Sequence, residues 1–281
     1  MKVITTIAGM RDEARRLKAQ GFSLGFVPTM GYLHEGHLSL VRAARQGAGI
    51  AVVSIFVNPT QFGPAEDLST YPRDFDRDAA MLEKEDVDIL FYPDPAEMYP
   101  PGYKTYIDVH DLQNKLCGRS RPGHFRGVCT VVAKLFEIIT PDIAYFGQKD
   151  AQQAIILERM ARDLNLSVRV EIRPIVRETD GLAMSSRNTY LNPAARRAAV
   201  VLYRSLQGAE EMISAGERKA GVVVSRMTEL IGREPLARID YVEAVSPGTL
   251  DPVDAIGDGT LLAVAVYFGR TRLIDNLVVR L

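Results

Sequence analysis

The sequence predicts an α/β protein: a mostly parallel sheet built from strand–helix units, followed by a smaller α+β unit. Three observations predict it. Apolar runs alternate with helical patterns up to residue 176, the remainder changes to two helical patterns and then three short apolar runs, and turn residues punctuate the series. Taken in order, Phe22–Val27 suits a buried strand and precedes a helix over Leu38–Arg45. Ile50–Val57 precedes a helix over Asp74–Glu85, Ile89–Tyr92 is a further strand, and Ile143–Phe146 precedes a helix over Gln152–Asp163. Such βαβ units pair their strands in parallel. Val168–Val176 reads as the last strand of this unit, and Arg177-Glu178-Thr179-Asp180-Gly181 has turn character, so the boundary falls near residue 176, giving domains 1–176 and 177–281. Beyond it, Asn192-Pro193 starts a long helix over Ala194–Ile213, and Lys219–Ile231 forms another. Ile239–Val245, Leu261–Tyr267 and Leu273–Val279 are short and rich in Val, Leu and Ile, which predicts a small antiparallel sheet covered by those helices.

Composition narrows the function classes. The chain has 281 residues, 47% hydrophobic and 25% charged, ordinary values for a globular protein. A formal net charge of −1 and the lack of a long Lys/Arg block argue against a nucleic-acid partner. No apolar segment reaches the ~18 to 20 residues needed to span a bilayer, and Met1–Met10 carries no signal-like run, so a cytoplasmic protein with no membrane partner is expected. Cys117 and Cys129 lack metal-site or redox spacing and read as structural thiols.

The most informative stretch is Pro28-Thr29-Met30-Gly31-Tyr32-Leu33-His34-Glu35-Gly36-His37. It places two histidines three apart where a strand ends and a helix begins, and a helix N-terminus attracts phosphate. Two packed or surface histidines are the bland alternative. A metal pair is a third reading, but no third ligand stands nearby in a matching motif. His-x-Gly-His resembles the signature of the nucleotidyltransferase superfamily that includes class I aminoacyl-tRNA synthetases.

Other loops join it. Asn58-Pro59-Thr60-Gln61 leaves a strand and places the Gln61 amide at the same sheet edge, suited to a hydroxyl or carboxylate or else to turn backbone. Asp74, Asp76 and Asp78 follow Tyr71-Pro72-Arg73; acids in a first helical turn complement the dipole, and one of them can also hold a cation. Arg119–Gly127 gathers three arginines, His124 and two glycines, either a solvated basic loop or one that approaches an anion closely. Gly147-Gln148-Lys149-Asp150 again follows a strand, with Lys149 in reach of a phosphate, Asp150 of a cation, and Gln153 facing the same cleft. Ser185-Ser186-Arg187 is a dense donor set for phosphate oxygens.

Six motifs occur together and in order: Pro-Thr-Met-Gly-x-Leu-His-x-Gly-His, Phe-Val-Asn-Pro-x-Gln-Phe, Tyr-Pro-Arg, Arg-Pro-Gly-His-Phe-x-Gly-Val, Phe-Gly-x-Lys-Asp-x-Gln-Gln and Met-Ser-Ser-Arg-Asn. The combination resembles the pantothenate synthetase (pantoate:β-alanine ligase) family over residues 28 to 191, with a familiar ending at Thr271–Asn276. The resemblance implies a Rossmann-like N-terminal domain, a smaller C-terminal lid, a homodimer, ATP as substrate and Mg²⁺. It implies a two-step condensation of pantoate with β-alanine through a pantoyl adenylate, with AMP and pyrophosphate released. Carried over residue by residue, His34, His37, Lys149 and Arg187 are catalytic, and Met30, Gly147, Asp150, Val176, Ser185 and Ser186 join them in binding ATP. Met30, Gln61 and Gln153 hold pantoate, Asn58, Tyr71, Arg121 and His124 belong to a substrate loop region, and Asp78 lies near Mg²⁺. One departure is visible: Arg77 stands beside Asp78 where some relatives carry a second acid. A phosphate-accepting nucleotidyltransferase and a non-catalytic nucleotide sensor are the other readings; ATP–pyrophosphate exchange with and without pantoate separates them.

Overall fold

A parallel sheet of six strands organises the first part of the chain, in the order β1-β4-β3-β2-β5-β6. The computed structural model describes residues 1–64 and 66–281. Its first part runs β1 (Lys2–Ile4), α1 (Ile7–Ala19), β2 (Leu24–Thr29), α2 (Glu35–Gly47), β3 (Ile50–Ile55), α3 (Phe75–Lys84) and β4 (Ile89–Phe91). It continues through α4 (Pro95–Met98), α5 (Cys117–Ser120), α6 (His124–Ile139), β5 (Ile143–Gly147), α7 (Ala151–Asp163) and β6 (Arg169–Arg173). Strand β2 pairs with β3 on one side and β5 on the other, so the winding reverses direction there. Loops leaving the carboxyl ends of β2 and β5 therefore diverge and leave a crevice, the usual ligand position in such sheets.

The second part comprises α8 (Pro193–Ala198), α9 (Val201–Ser214), α10 (Ala220–Gly232) and an antiparallel sheet of β7 (Ala237–Val245), β8 (Leu261–Phe268) and β9 (Thr271–Val278). The predicted α/β class and the small α+β unit both hold. Strand β8 is buried on both faces: Leu261, Ala263 and Ala265 join the core beneath α6, whereas Leu262, Val264, Val266 and Phe268 pack with the α9 and α10 core. The period of two thus divides one apolar run between two hydrophobic clusters. The helices cover only one face of this sheet; the N-terminal core covers the other.

Several elements differ from their sequence expectation, each for a local reason. The strand expected over Val168–Val176 ends at Arg173, since Pro174 has no N–H to continue a ladder. The helix expected over Ala194–Ile213 is two helices, because Leu202 N–H bonds Ala199 O and tightens the turn between them. Strand β1 is three residues long and mostly exposed, so it offers no apolar run to read. Helix α6 is apolar on nearly every side because it is buried against α1, α7 and the turn at Pro59–Gln61. Its Gly127 permits that last approach: a Cβ there would stand 2.4 Å from Thr60 O.

Candidate active site

Helix α2 begins with a reciprocal cap made by two histidines. His34, at the N-cap, accepts the Gly36 N–H on Nδ1 at 3.2 Å, and His37 accepts the His34 N–H on its own Nδ1 at 3.3 Å. Because each Nδ1 accepts, the proton of each neutral ring resides on Nε2, leaving two Nε2–H donors. The ring centroids are 4.0 Å apart. Burial, with Lys149 nearby, pushes His34 down to about 4, and burial followed by the neighbouring His34 holds His37 well below the ordinary range. Near neutral pH both rings are therefore uncharged donors.

Lys149 reaches the same crevice from the other side of the switch point, on the turn Gln148–Asp150 after β5. That turn is braced from the second part of the chain: Asn276 Nδ2 donates to the carbonyls of Gln148 and Lys149 at 2.9 and 3.0 Å. Lys149 Nζ lies 3.5 Å from Asp150 Oδ1. Ser185 caps a 3-10 turn at Ser186–Tyr190 by accepting the Arg187 N–H, and Arg187 donates to Asp67.

A cleft of ≈ 220 Å³ collects these groups, and every candidate residue derived from the sequence lines it except Asp78. Gln61 enters from the turn after β3, its Oε1 accepting from Asn58 and its Nε2 donating to Met30 Sδ at 3.0 Å. Gln153 enters from α7, Val176 and Gly147 from the segments after β6 and in β5, and Tyr71 lies beneath the Arg187 guanidinium. His124 donates Nδ1–H to Gln61 O at 2.9 Å, which fixes its tautomer, so its Nε2 accepts from Arg121 at 3.0 Å. Burial, then Arg121, lowers His124 to about 4.

Three of the candidate side chains have partners within the protein. Asp78 is 1% exposed and accepts the N–H groups of Tyr32 and Leu33 at 2.6 and 2.8 Å, so its carboxylate fastens the histidine loop from behind instead of facing the cleft as an Mg²⁺ ligand. Burial pushes its pKa up, opposed by those two N–H bonds. Asn58, also 1% exposed, bonds Gln61, Gly127 O and Tyr99, and so orients Gln61 from beneath. The Ser186 hydroxyl donates to Tyr32 O at 3.2 Å, which directs it at the histidine loop. Among the described residues no group of three His, Cys, Asp or Glu is arranged to hold a metal ion.

Sequence reasoning missed the apolar wall: Val128, Val131, Val132 and Leu135 of α6 line the cleft. Their i, i+3, i+4, i+7 spacing was the available signal, a single helix face. It also missed Glu66 and Asp67, whose carboxylates hold Arg121 and Arg187. Both cysteines are free and buried.

Fold and cleft together define an α/β protein whose candidate site, lined by imidazole, ammonium and guanidinium groups, lies at the switch point of a parallel sheet. The family model of pantoate-beta-alanine ligase matches residues 2–278, and the chain belongs to this family of ligases. It is 58% identical over 278 residues to the pantothenate synthetase of Pelotomaculum thermopropionicum, covering 99% of each chain. It is similar to the crystal structure of pantothenate synthetase from Thermus thermophilus, with a TM-score of 0.95, 46% identity and full coverage of both chains. A pantoate-beta-alanine ligase from Francisella tularensis, solved in complex with beta-gamma ATP and beta-alanine, aligns with a TM-score of 0.82 at 32% identity, covering 99% of this chain and 97% of that one.

Proposed function

We propose that this ligase condenses pantoate with β-alanine through a pantoyl adenylate, releasing AMP and pyrophosphate. The observation that carries the reading is the meeting, at one switch point, of two neutral imidazole donors, Lys149 and Arg187 with the paired amides Gln61 and Gln153. A carboxylate is a poor electrophile for an amine, so activation comes first. A pantoate carboxylate oxygen attacks the α-phosphorus of ATP and the bond to pyrophosphate breaks. Charge grows on the α-phosphate oxygens and on the leaving group, where preorganised donors act most strongly. The Nε2–H groups of His34 and His37 supply such donors without a proton transfer, and Lys149 and Arg187 supply fixed positive charge. Gln61 and Gln153 hold the pantoate hydroxyl and carboxylate ends, and Met30, which Gln61 contacts, lines the junction between ATP and pantoate; a neutral amide suits an acceptor that carries no phosphate. The amine of β-alanine then attacks the acyl carbon and AMP leaves. The α6 wall keeps water from the mixed anhydride.

The resemblance also supports ATP binding by Gly147, Asp150, Val176, Ser185 and Ser186, with Tyr71, Arg121 and His124 near the substrates. The division into 1–176 and a lid, 177–281, belongs to the same reading, supported by the end of β6 at Arg173. A homodimer, a cytoplasmic location and Mg²⁺ arriving with ATP rest on the resemblance; no step above runs through the ion. No helix among the described residues is long and apolar enough to cross a membrane.

Isotope transfer tests the reading. With carboxylate-¹⁸O pantoate, one labelled oxygen is expected in AMP after β-alanine displaces the adenylate. Label in inorganic phosphate, accompanied by ADP, means attack at the γ-phosphate and overturns the mechanism.

A further inference from the structure

The Thr271–Asn276 segment supplies no group to the chemistry above, yet its last two residues are polar and buried: Asp275 is 2% and Asn276 4% exposed. They are consecutive on β9, so their side chains leave opposite faces of the sheet. Asn276 shares a face with Ile274, towards the N-terminal core, and meets the turn Gln148–Asp150 there. Its Nδ2 donates to Gln148 O and Lys149 O at 2.9 and 3.0 Å, and its Oδ1 accepts from Gln148 Nε2 at 3.2 Å. Asp275 shares a face with Leu273, towards α9, and accepts both ends of the Arg177 guanidinium at 2.6 and 3.0 Å. Arg177 in turn donates to Gly181 O at 3.0 Å and lies 4.5 Å over the ring of Tyr203 in α9. Val176, beside Arg177, lines the cleft, as does Lys149.

We infer that Asn276 is a positioning residue for Lys149, and that the step from Asp275 to Asn276 on β9 fixes two walls of the crevice, the Lys149 turn and the Val176 segment, relative to each other. The inference rests on the reading that Lys149 meets phosphate. Both Nδ2 hydrogens and the Oδ1 of Asn276 are engaged by the turn, so the side chain keeps no free donor for a ligand. The Asp275 carboxylate is likewise taken up, by Arg177 and by the Asn276 N–H at 2.8 Å. A lysine ammonium is a point charge on a flexible stem, so its aim depends on the backbone that carries it. Strand β9 pairs along its whole length with β8, which is itself held in both cores, and this gives the two anchors one rigid base.

The test uses the full chain and five proteins: unsubstituted, Asn276→Ala, Lys149→Ala, the double variant of these two, and Asp275→Asn. Amide hydrogen exchange of the segments 145–152 and 176–184 is measured without ligand, together with kcat and KM for ATP in pantoate-dependent pyrophosphate exchange. Asn276→Ala is expected to speed amide exchange in 145–152 but not in 176–184, and to lower kcat, each by about tenfold per lost hydrogen bond. In the Lys149→Ala background the same substitution is expected to cost less than about twofold more, because the group it positions is gone. Asp275→Asn is expected to show the converse, faster amide exchange in 176–184 with a raised KM for ATP. A full, multiplicative loss in the double variant overturns the inference, and so does faster amide exchange in both segments with either substitution, since loosened packing acts on both alike. If Asn276→Ala does not fold, Asn276→Ser takes its place; if Asp275→Asn does not, Arg177→Lys does, which keeps the charge and loses the fork. Normal pyrophosphate exchange in Lys149→Ala defeats the phosphate reading of Lys149, whereas amide exchange in 145–152 still accepts or rejects the brace.

Discussion

Arg187 donates from both Nε and Nη2 to the carboxylate of Asp67, at 3.0 and 2.9 Å. The arginine proposed for the phosphates thus already has an anion, as does Arg121, which Glu66 holds through Nε and Nη2 at 2.8 and 2.6 Å. Two consecutive acids occupy two cleft arginines in the same fork geometry that a phosphate or carboxylate ligand offers.

An incoming phosphate must share Arg187 with Asp67 or displace it. Asp67→Asn is therefore expected to tighten ATP binding by roughly two- to fivefold, the range for a partly exposed ion pair of about 0.5 to 1 kcal/mol. Calorimetric titration with ATP checks it. Weaker binding in the variant means that Asp67 orients Arg187 for the phosphate.

His37→Ala is expected to lower pyrophosphate exchange by ~10²–10³, the usual loss for one preorganised donor, with far-ultraviolet circular dichroism unchanged. A folded variant with near-normal exchange refutes the donor role.

Lys149→Ala separates the half-reactions. Pyrophosphate leaves in the first, so adenylate formation should fall far more than the reaction of preformed pantoyl adenylate with β-alanine. Equal losses in both assign Lys149 to the acyl group or to structure.

Acidification is expected to destabilise the fold before the carboxylates titrate. His34 and His124 are held at about 4, and His37 well below its ordinary range, in each case chiefly by burial. A histidine depressed below the unfolded value of about 6.5 refuses a proton that the unfolded chain accepts, so its stabilisation is complete above that value and is lost as pH falls towards the folded pKa. Between roughly pH 6.5 and 4 each such ring contributes a slope of up to about 1.4 kcal/mol per pH unit. Urea unfolding of His124→Asn, compared with the unsubstituted chain across this window, should lose one proton of that slope. An unchanged slope means that His124 is already protonated in the folded protein.

The sequence by itself determined the strand and helix series, because apolar period and turn residues are local properties: β2, β3 and β5 formed where Phe22–Val27, Ile50–Val57 and Ile143–Phe146 indicated, within a few residues. It also named most of the polar side chains that line the cleft, since loops that follow parallel strands converge on one sheet edge whatever the details of packing. Tertiary structure alone decided what those side chains face. Asp78 reads in sequence as an acid in a first helical turn, but its partners Tyr32 and Leu33 lie 46 and 45 residues away, and burial beside their N–H groups gives it a fixed bonding role. The division of β8 between two cores and the pairing of Arg187 with Asp67 are likewise contacts between distant segments. Hydrogen-bond partners and buried faces of this kind are set by which surfaces meet when the chain packs, and no local pattern of residues encodes that.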